Sequence, residues 1–294
     1  MQMSRRFFTL DVFTDTPLAG NALAVVLDCA GLDDARMQAI AREFALSETV
    51  FVYPPADARH RAALRIFTPG RELPFAGHPT VGTAALLALL DGAPEAAFAL
   101  EEKAGVVACA VVRHGADKAR ARFRTPRLPE RQPGAIARGA AAAALGLELG
   151  DIASWAEEIE IWSAGTPFPL VPLTTLDALA RAAPSATFSA ATAGTGHAFL
   201  YFQTGAHSFR ARMFAPGSGI LEDPATGSAA AAFAGLIFGR APHGDGAHDY
   251  VIEQGVEMGR ASRIEVQLSV QGGALAAVEI AGAAIIVSEG RLRL

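Results

Sequence analysis

The feature that most constrains the fold of this chain is an internal repeat. Residues 65–70 read Arg-Ile-Phe-Thr-Pro-Gly, and residues 212–217 read Arg-Met-Phe-Ala-Pro-Gly. A second match follows each of them, because residues 78–84 and 223–229 share the form X-Pro-x-x-Gly-[Ser/Thr]-Ala. Each copy predicts a strand, a Pro-Gly loop and the start of a helix. Two half-chains of one ancestral design explain this pattern, which therefore predicts two similar domains.

The helices that follow the two motifs, at residues 79–90 and 224–238, are apolar on nearly every side, so we expect both to be buried. A helix N-terminus exposes unpaired N–H groups and about half a positive charge. Proline is tolerated at the first helical position, and Gly82 and Gly227 would let a ligand approach the backbone within the first turn. Two such ends facing one cleft would hold an anion such as a carboxylate.

The rest of the chain alternates strands and helices, which predicts a mixed α/β fold. A helix in which Met37, Ile40 and Phe44 recur at helical spacing would be capped by Asp33 or Asp34, and shorter helices are predicted at residues 140–144 and 175–182. The predicted strands lie at residues 7–13, 22–27, 49–52, 63–67, 97–101, 106–112, 121–124, 159–162, 170–173, 198–202, 209–214, 264–270, 276–280 and 285–287, with another near Val251.

A stretch rich in Pro, Arg and Gly, residues 125–134, is predicted to be the linker between the domains. The N-terminal domain would then comprise residues 1–124, completed by a last strand at residues 283–294. The C-terminal domain would comprise residues 125–282.

The composition excludes several classes of partner. With 25 Lys and Arg against 30 Asp and Glu the net charge is −5, so no basic field attracts nucleic acid or an anionic membrane. No stretch reaches the roughly 20 continuous apolar residues that span a bilayer, and Asp11 and Asp15 interrupt any signal-peptide core. Two cysteines, Cys29 and Cys109, are too few for a disulfide framework. We therefore expect a soluble, cytoplasmic protein whose partner is a small molecule.

Five motifs, in order along the chain, resemble the phenazine-biosynthesis PhzF-like family. Residues 75–82 (Phe-Ala-Gly-His-Pro-Thr-Val-Gly) and residues 222–229 (Glu-Asp-Pro-Ala-Thr-Gly-Ser-Ala) are similar to its two helix-start motifs. Residues 11–14 with 20–22 resemble its opening strands, residues 47–51 its catalytic-glutamate segment, and residues 163–167 the entry strand of its second domain. The resemblance runs in order over nearly the whole chain, which makes it far more specific than any single motif.

The resemblance implies a fold and an activity. The fold would be two similar α/β domains related by pseudo-twofold symmetry, each a curved, mostly antiparallel sheet around a central helix, as in diaminopimelate epimerase. The enzyme would be a homodimeric isomerase that needs no cofactor and no metal, with its active site in the cleft between the domains. It would move a proton between carbons of a small carboxylic acid, as in the isomerisation of trans-2,3-dihydro-3-hydroxyanthranilate.

The resemblance also assigns roles, residue by residue. Glu48 would be the acid/base that shuttles the proton. His78 and Asp223 would flank the substrate. Its carboxylate or amine would be held by Gly77, Gly227 and Ser228. The chemistry of the residues agrees, because a carboxylate can take a proton from one carbon and return it to another when burial raises its pKa towards about 6–7. Glu48, beside an apolar strand, could be so placed.

Structural interpretations of the same residues stay open at the level of sequence. Asp223 before Pro224 is a good N-cap, His78 could be a structural histidine, and Glu48 could be a solvated acid at a strand edge. The repeat favours a functional role for His78 and Asp223, because both occupy the same position in the two copies.

Two rival functions share the same motifs. A cofactor-free racemase or epimerase of this fold would use two opposed cysteines, one just before the Gly-His pair, but Ala76 stands there and residues 223–228 contain no Cys. A non-catalytic protein that binds a small acid is the other rival. The chain departs from the family pattern at Phe168, where His is frequent, and this leaves the identity of the substrate open.

Neither a metal nor a nucleotide cofactor is expected. His243, Asp245 and His248 lie in a Gly-rich loop that lacks the regular spacing needed to fix metal ligands. The pair Gly194 and Gly196 lacks a third glycine in register for a dinucleotide site.

Overall fold

The computed structural model describes residues 4–192 and 194–293, and the chain divides into two compact units. The first unit comprises Met1–Pro126 together with Ile280–Leu294, and the second comprises Arg127–Glu279. Both units mix strands with helices, as the alternating sequence pattern predicts.

The first unit contains two helices and most of the strands that surround the second of them. The helices are α1 (Asp34–Phe44) and α2 (Gly77–Asp91). The strands are β1 (Ser4–Val12), β2 (Asn21–Val26), β3 (Glu48–Tyr53), β4 (Ala62–Phe67), β5 (Glu72–Leu73), β6 (Glu95–Glu102), β7 (Gly105–Arg113) and β8 (Lys118–Arg124).

The strand pairing of the first unit is mostly antiparallel. β1 pairs antiparallel with β2, and also with the far end of the chain's last strand. β2 runs parallel to β3, and β4 runs parallel to β6. The remaining neighbours, β3 with β4, β6 with β7 and β7 with β8, are antiparallel.

Helix α2 is the core of the first unit, and every residue from Gly77 to Leu89 is buried. Its small and aliphatic residues let strands approach from all sides, and it contacts β1, β2, β3, β6, β7 and β8. The helix ends at Gly92, whose φ of 75° is the left-handed conformation that glycine adopts without steric cost. Helix α1 is instead a surface helix, and Asp33 caps it by accepting a 2.7 Å hydrogen bond from the backbone N–H of Arg36.

The second unit repeats this plan. Its helices are α3 (Arg138–Ala144), α4 (Leu176–Arg181), α5 (Phe188–Ala191) and α6 (Gly227–Arg240), with single 3₁₀ turns at Leu149–Asp151 and Pro216–Ser218. Its strands are β9 (Glu130–Ala137), β10 (Glu158–Ser163), β11 (Pro167–Pro172), β12 (Ala198–Gly205), β13 (Ser208–Ala215), β14 (Ile220–Asp223), β15 (Gly246–Gln254) and β16 (Ser262–Gln271). The last strand, β17 (Ala274–Arg293), passes from the second unit into the first.

The repeat is visible in the pairing of the strands. In the second unit β12 and β13 are antiparallel and β13 runs parallel to β15, just as β3 and β4 are antiparallel and β4 runs parallel to β6 in the first. The long helix α6 lies between β13 and β15 in the chain and is buried from Ala229 to Ile237, matching α2. The expectation of a buried helix after each motif is confirmed.

The predicted linker at residues 125–134 is wrong in its second half. Strand β9 begins at Glu130 and pairs antiparallel with β10. The ladder shifts register between Glu160 and Trp162, and the segment opposite this shift holds Pro133 and Gly134. An irregularity of this kind accommodates a proline and a glycine within a strand, so their presence does not mark a loop here.

The two helix starts differ from the prediction and from each other. Helix α2 begins at Gly77, two residues before Pro79, so Gly82 lies beyond the first turn. A Cβ on Gly82 would meet side-chain carbons of Leu23 and Val12 at 2.6 and 2.7 Å, so this glycine serves the packing of the helix against β2 and β1 rather than the approach of a ligand. Helix α6 begins only at Gly227, so Pro224 is not its first residue.

The end of the chain also differs in detail. The strands predicted at residues 276–280 and 285–287 are parts of the single strand β17. Within the described residues, no helix has the length and apolar character needed to cross a membrane.

Candidate active site

Glu48 is the first residue of β3, and parallel pairing sets it opposite Leu23 of β2. Helix α1 precedes it and ends at Ala45, which adopts the left-handed conformation with φ of 52° and turns the chain into the strand. The residues that follow, Thr49 and Val50, are fully buried. The side chain of Glu48 is only 13% exposed, so the prediction of a solvated acid at a strand edge is wrong.

His78 is the second residue of α2, and its side chain is only 5% exposed. Its Nε2 atom lies 3.3 Å from Oε2 of Glu48, which brings together two of the three predicted catalytic groups. The contact lies within ion-pair range but lacks the alignment of a hydrogen bond. The imidazole and the carboxylate are therefore adjacent but not hydrogen-bonded to each other through these two atoms.

Asn21 fixes the state of the His78 ring. Its Nδ2 atom lies 3.2 Å from Nδ1 of His78, and both side chains are buried. An amide nitrogen donates and does not accept, so Nδ1 is the acceptor and the ring proton lies on Nε2, the atom nearer to Glu48. Burial lowers the pKa of His78 to about 3, because the interior disfavours the charged ring. His78 is accordingly a neutral imidazole at neutral pH with its N–H on the Glu48 side.

The backbone at the start of α2 adds donors to this cluster. Gly77 is the first residue of the helix and is buried, and Ala76 before it has no side chain that could cap the helix. The first N–H groups of any helix lack intrahelical acceptors and carry the positive end of the helix dipole. Gly77 is thus positioned, beside His78, where an anionic group would be stabilised.

The second motif copy forms its own cluster in the second unit. Asp223 is the last residue of β14 and is buried, and its Oδ2 atom accepts a 2.5 Å hydrogen bond from Oγ1 of Thr226. The N-cap of α6 is Thr226, so the interpretation of Asp223 as the helix cap is wrong. Gly227 and Ser228 are the first two residues of α6, and Gly227 is buried.

Gln254 at the end of β15 explains why the two motif copies start their helices differently. Its Oε1 accepts from the backbone N–H of Thr226 at 3.1 Å, and its Nε2 donates to the carbonyl of Asp223 at 2.7 Å. These bonds satisfy the turn between Asp223 and Thr226 without helical bonding, so α6 begins after it.

Sequence analysis missed both Asn21 and Gln254 as parts of the candidate site. Asn21 stands in the segment 20–22 that carries the family resemblance, and an amide directly before an apolar strand was a usable signal. Gln254 carried no signal, because its role depends on a contact with Asp223 from 31 residues away.

Neither cysteine is arranged for chemistry. Cys29 and Cys109 are both buried and free. Burial raises the pKa of each thiol to about 12, so neither is a thiolate at neutral pH.

Phe168, at the position where the chain departs from the family pattern, is buried with its ring centroid 4.8 Å from that of His197.

The weak metal candidate has structural partners. His243 contacts the carbonyl of Ala241 and the hydroxyl of Tyr250, and Asp245 accepts the N–H groups of Gly272 and Gly273. Across residues 4–192 and 194–293 there is no group of three or more His, Cys, Asp or Glu side chains that could hold a metal ion.

Comparison with known protein families identifies the family of the chain. Residues 10–290 match the family model described as phenazine biosynthesis-like protein, PhzC-PhzF. The chain belongs to the PhzF family. Its mixed α/β fold and its class, an isomerase, are those of the family, and the sequence-based recognition is confirmed.

Three members of this family illustrate the similarity. An uncharacterized isomerase of Mesorhizobium japonicum is 48% identical, over 98% of this chain and 99% of its own. The trans-2,3-dihydro-3-hydroxyanthranilate isomerase of Pseudomonas aeruginosa is 36% identical, also over 98% and 99%. The crystal structure of a PhzF-family phenazine biosynthesis protein of Bacillus anthracis is similar with a TM-score of 0.85 and 27% identity, over 99% of this chain and 100% of that one.

Proposed function

We propose that this PhzF-family isomerase moves a proton between two carbons of a small, cyclic, amino- or hydroxy-substituted carboxylic acid. The observation that carries the proposal is the buried contact between Glu48 and a neutral His78. The identity of 36% with a named trans-2,3-dihydro-3-hydroxyanthranilate isomerase supports that compound as the first substrate to test.

Glu48 acts in this proposal as the single acid/base. Its carboxylate takes a proton from one carbon of the substrate, and the resulting acid, whose proton exchanges with solvent, delivers a proton to another carbon on the same face. No electrons leave or enter, so the step balances as an intramolecular proton transfer. A partly buried carboxylate suits this role, because the group must exist in both protonation states near neutral pH.

His78 and the start of α2 stabilise the charge that the transfer creates. With the proton on Nε2, His78 donates towards Glu48 or towards the substrate, and it does not compete for the transferred proton, since its own pKa is far below neutral. The backbone at Gly77 supplies a positive dipole end for a carboxylate or for developing negative charge.

Asp223, Gly227 and Ser228 are proposed as substrate-binding residues. The Asp223 carboxylate would form an ion pair with an amine of the substrate, and the N–H groups at the N-terminus of α6, at Gly227 and Ser228, would donate hydrogen bonds to a carboxylate. The position of Asp223 in the second motif copy, equivalent to that of His78 in the first, supports this assignment.

The cellular setting and the oligomeric state of the enzyme are proposed from the low cysteine count and from the family resemblance. We propose that it works in the cytoplasm as a homodimer. Light scattering on the purified protein tests the dimer, and a mass of one chain, 30.5 kDa, would contradict it.

Deuterium incorporation tests the reaction itself. The enzyme is incubated in D₂O with trans-2,3-dihydro-3-hydroxyanthranilate, and the product is examined by NMR for deuterium at the carbon that receives the proton. Catalysed isomerisation with deuterium at that carbon supports the proposal. A protein that binds the compound without isomerising it would be a small-acid binder instead, and the proposal would fail.

A further inference from the structure

Glu102 is a buried acid that the proposed mechanism does not use. It is the last residue of β6, where its side chain reaches Thr80 in the first turns of α2. Thr80 is fully buried, and Glu102 is 8% exposed. Two residues before Thr80 on the same helix lies His78, so whatever orders this turn also orders the candidate catalytic histidine.

The hydrogen bonds of Thr80 decide the protonation state of Glu102. Oγ1 of Thr80 lies 2.7 Å from the carbonyl oxygen of Ala76 and 2.7 Å from Oε1 of Glu102. A threonine hydroxyl has one proton to donate. The Ala76 carbonyl, which also accepts the backbone N–H of Thr80 at 3.2 Å, can only accept, so the short contact of its oxygen with Oγ1 is favourable when the hydroxyl donates to it. The equally short contact of Oγ1 with Glu102 is then a hydrogen bond only if the carboxyl group carries a proton and donates it to Thr80.

The second oxygen of Glu102 fits a neutral acid. Oε2 is buried and has no hydrogen-bond partner among the described residues. Burying a charged carboxylate oxygen without a hydrogen bond costs much free energy, whereas burying the carbonyl oxygen of a neutral carboxylic acid in the same way costs far less. Desolvation raises the pKa of Glu102 to about 8, which agrees with the geometry.

Among the described residues, only desolvation and the hydrogen bond with Thr80 shift the pKa of Glu102, and no neighbouring cation holds it ionised. Strand β7 contributes Cys109, whose thiol stays protonated because burial raises its pKa to about 12. Strand β4 contributes Ala62 and Ala63 opposite the end of β6. Lys103, the next residue in the chain, directs its ammonium to Glu72 at 2.5 Å.

The internal repeat supplies an independent comparison. The repeat aligns Arg65 with Arg212, and therefore Ala63 of β4 with Arg210 of β13. Ala63 pairs with Glu101 in the parallel ladder of the first unit, and Arg210 pairs with Glu253 in that of the second. The next residues, Glu102 and Gln254, are therefore equivalent. Each ends the strand that runs parallel to the motif strand, and each side chain bonds to the residues at the start of its central helix.

The equivalent of Glu102 is thus an amide, which is neutral at every pH and both donates and accepts. We propose that Glu102 is a positioning residue that works as a neutral carboxylic acid, holding the first turn of α2 through Thr80, and that loss of its proton ends the active range on the alkaline side. The effect on activity depends on the function proposed above, whereas the protonation state does not.

Loss of the proton changes the bonding of Thr80 in a defined way. A carboxylate accepts more strongly than a carbonyl, so the Thr80 hydroxyl turns its proton to Glu102 and leaves the Ala76 carbonyl. Ala76 is the N-cap residue directly before Gly77 and His78. The change therefore loosens the turn that presents both groups, and turnover falls.

The decisive experiment compares the wild type with E102Q, with E95Q at the exposed start of the same strand as a matched control. Infrared difference spectra between wild type and E102Q report the Glu102 carboxyl without any substrate. We expect a protonated carboxyl at pH 7 that is lost with a midpoint near the pKa of about 8. An ionised Glu102 at pH 7 would overturn the proposal whether or not the chain accepts the test substrate.

The activity measurement uses the pH profile of kcat. The wild type and E95Q should share an alkaline decline, while E102Q keeps the neutral-pH rate within about threefold and lacks the decline. T80V should lower kcat about tenfold at neutral pH, and T80S, which keeps the hydroxyl, should restore it. An alkaline decline that persists in E102Q, or T80V with wild-type turnover in a folded protein, would each refute the positioning role.

Discussion

Nδ2 of Asn21 lies 3.2 Å from Nδ1 of His78, and this one contact determines which nitrogen of a candidate catalytic ring carries the proton. Because the amide nitrogen only donates, the N–H of His78 lies on Nε2, the atom 3.3 Å from Glu48. A residue that takes no part in proton transfer thereby sets the direction in which His78 donates.

Replacing Asn21 with Asp reverses this arrangement. A carboxylate only accepts, so Nδ1 of His78 should become the protonated nitrogen and Nε2 should present a lone pair to Glu48. Turnover should fall at least about tenfold, since a mis-set tautomer costs up to about 10⁴-fold in an enzyme that depends on one. The tautomer is read by ¹⁵N NMR of the ring, assigned by comparison with His78→Gln. An unchanged tautomer in a folded Asn21→Asp protein would contradict the assignment.

The candidate acid/base is tested by Glu48→Gln. Glutamine keeps the shape of the side chain but cannot take a proton, and general acid–base catalysis is worth roughly 10²–10⁴-fold. We expect a folded protein that still binds ligand, with turnover lower by at least about 100-fold and no solvent deuterium in the product. Glu43→Gln, on the exposed face of α1, is the matched control and should behave as wild type. Equal rates for Glu48→Gln and wild type would exclude the acid/base role.

His78 should make the folded protein sensitive to acid. The pKa of His78 is about 3 in the folded state against about 6.5 for an exposed histidine, so the unfolded chain binds its proton first as pH falls. The stability that the neutral, buried His78 contributes is fully present above pH 6.5. It is lost as pH falls from 6.5 towards 3, at about 1.4 kcal/mol of unfolding free energy per pH unit. Glu102 has a raised pKa, so its contribution to the free energy of unfolding changes with pH in the opposite direction. That contribution is common to the wild type and His78→Gln, so the difference between their free energies of unfolding isolates the effect of His78. A difference that does not change between pH 6 and pH 4 would show that His78 is not buried as a neutral ring.

Gln254 should be needed to hold Asp223. Gln254→Leu removes the acceptor of the Thr226 N–H and the donor to the Asp223 carbonyl, and a buried polar group without a partner costs about 1–3 kcal/mol. Chemical denaturation should show a loss of this size, and turnover should fall because the turn carrying Asp223 is released. Gln271→Leu at an exposed strand end serves as the control. If Gln254→Leu matched that control in both stability and turnover, the positioning role would be wrong.

Removing both thiols should leave catalysis intact. Cys29 and Cys109 are buried and protonated, and neither lies in a motif that resembles the family. Cys29→Ala with Cys109→Ala should keep turnover within about twofold while losing on the order of 1 kcal/mol of stability at each site from the lost buried volume. A double variant that is folded and inactive would instead revive a two-thiol racemase mechanism.

Much of the architecture followed from local pattern. The two motif copies predicted the two buried helices, since a helix apolar on every side has no solvent-facing surface. The capping of α1 by Asp33 also followed, because a cap is a contact within three residues. The predicted loop at residues 125–134 failed because Pro133 and Gly134 are accommodated by an irregular ladder with β10, and a register shift leaves no trace in the sequence of one strand.

The sequence by itself determined the family, the mixed α/β fold and the candidates Glu48, His78 and Asp223, because those residues stand in contiguous motifs. Only the tertiary structure decided what state these candidates adopt. Asn21 reaches His78 across 57 residues, Gln254 reaches Thr226 across 28, and Glu102 reaches Thr80 across 22. Protonation depends on burial and on the partner that each polar atom meets, and both arise when distant strands close around a helix.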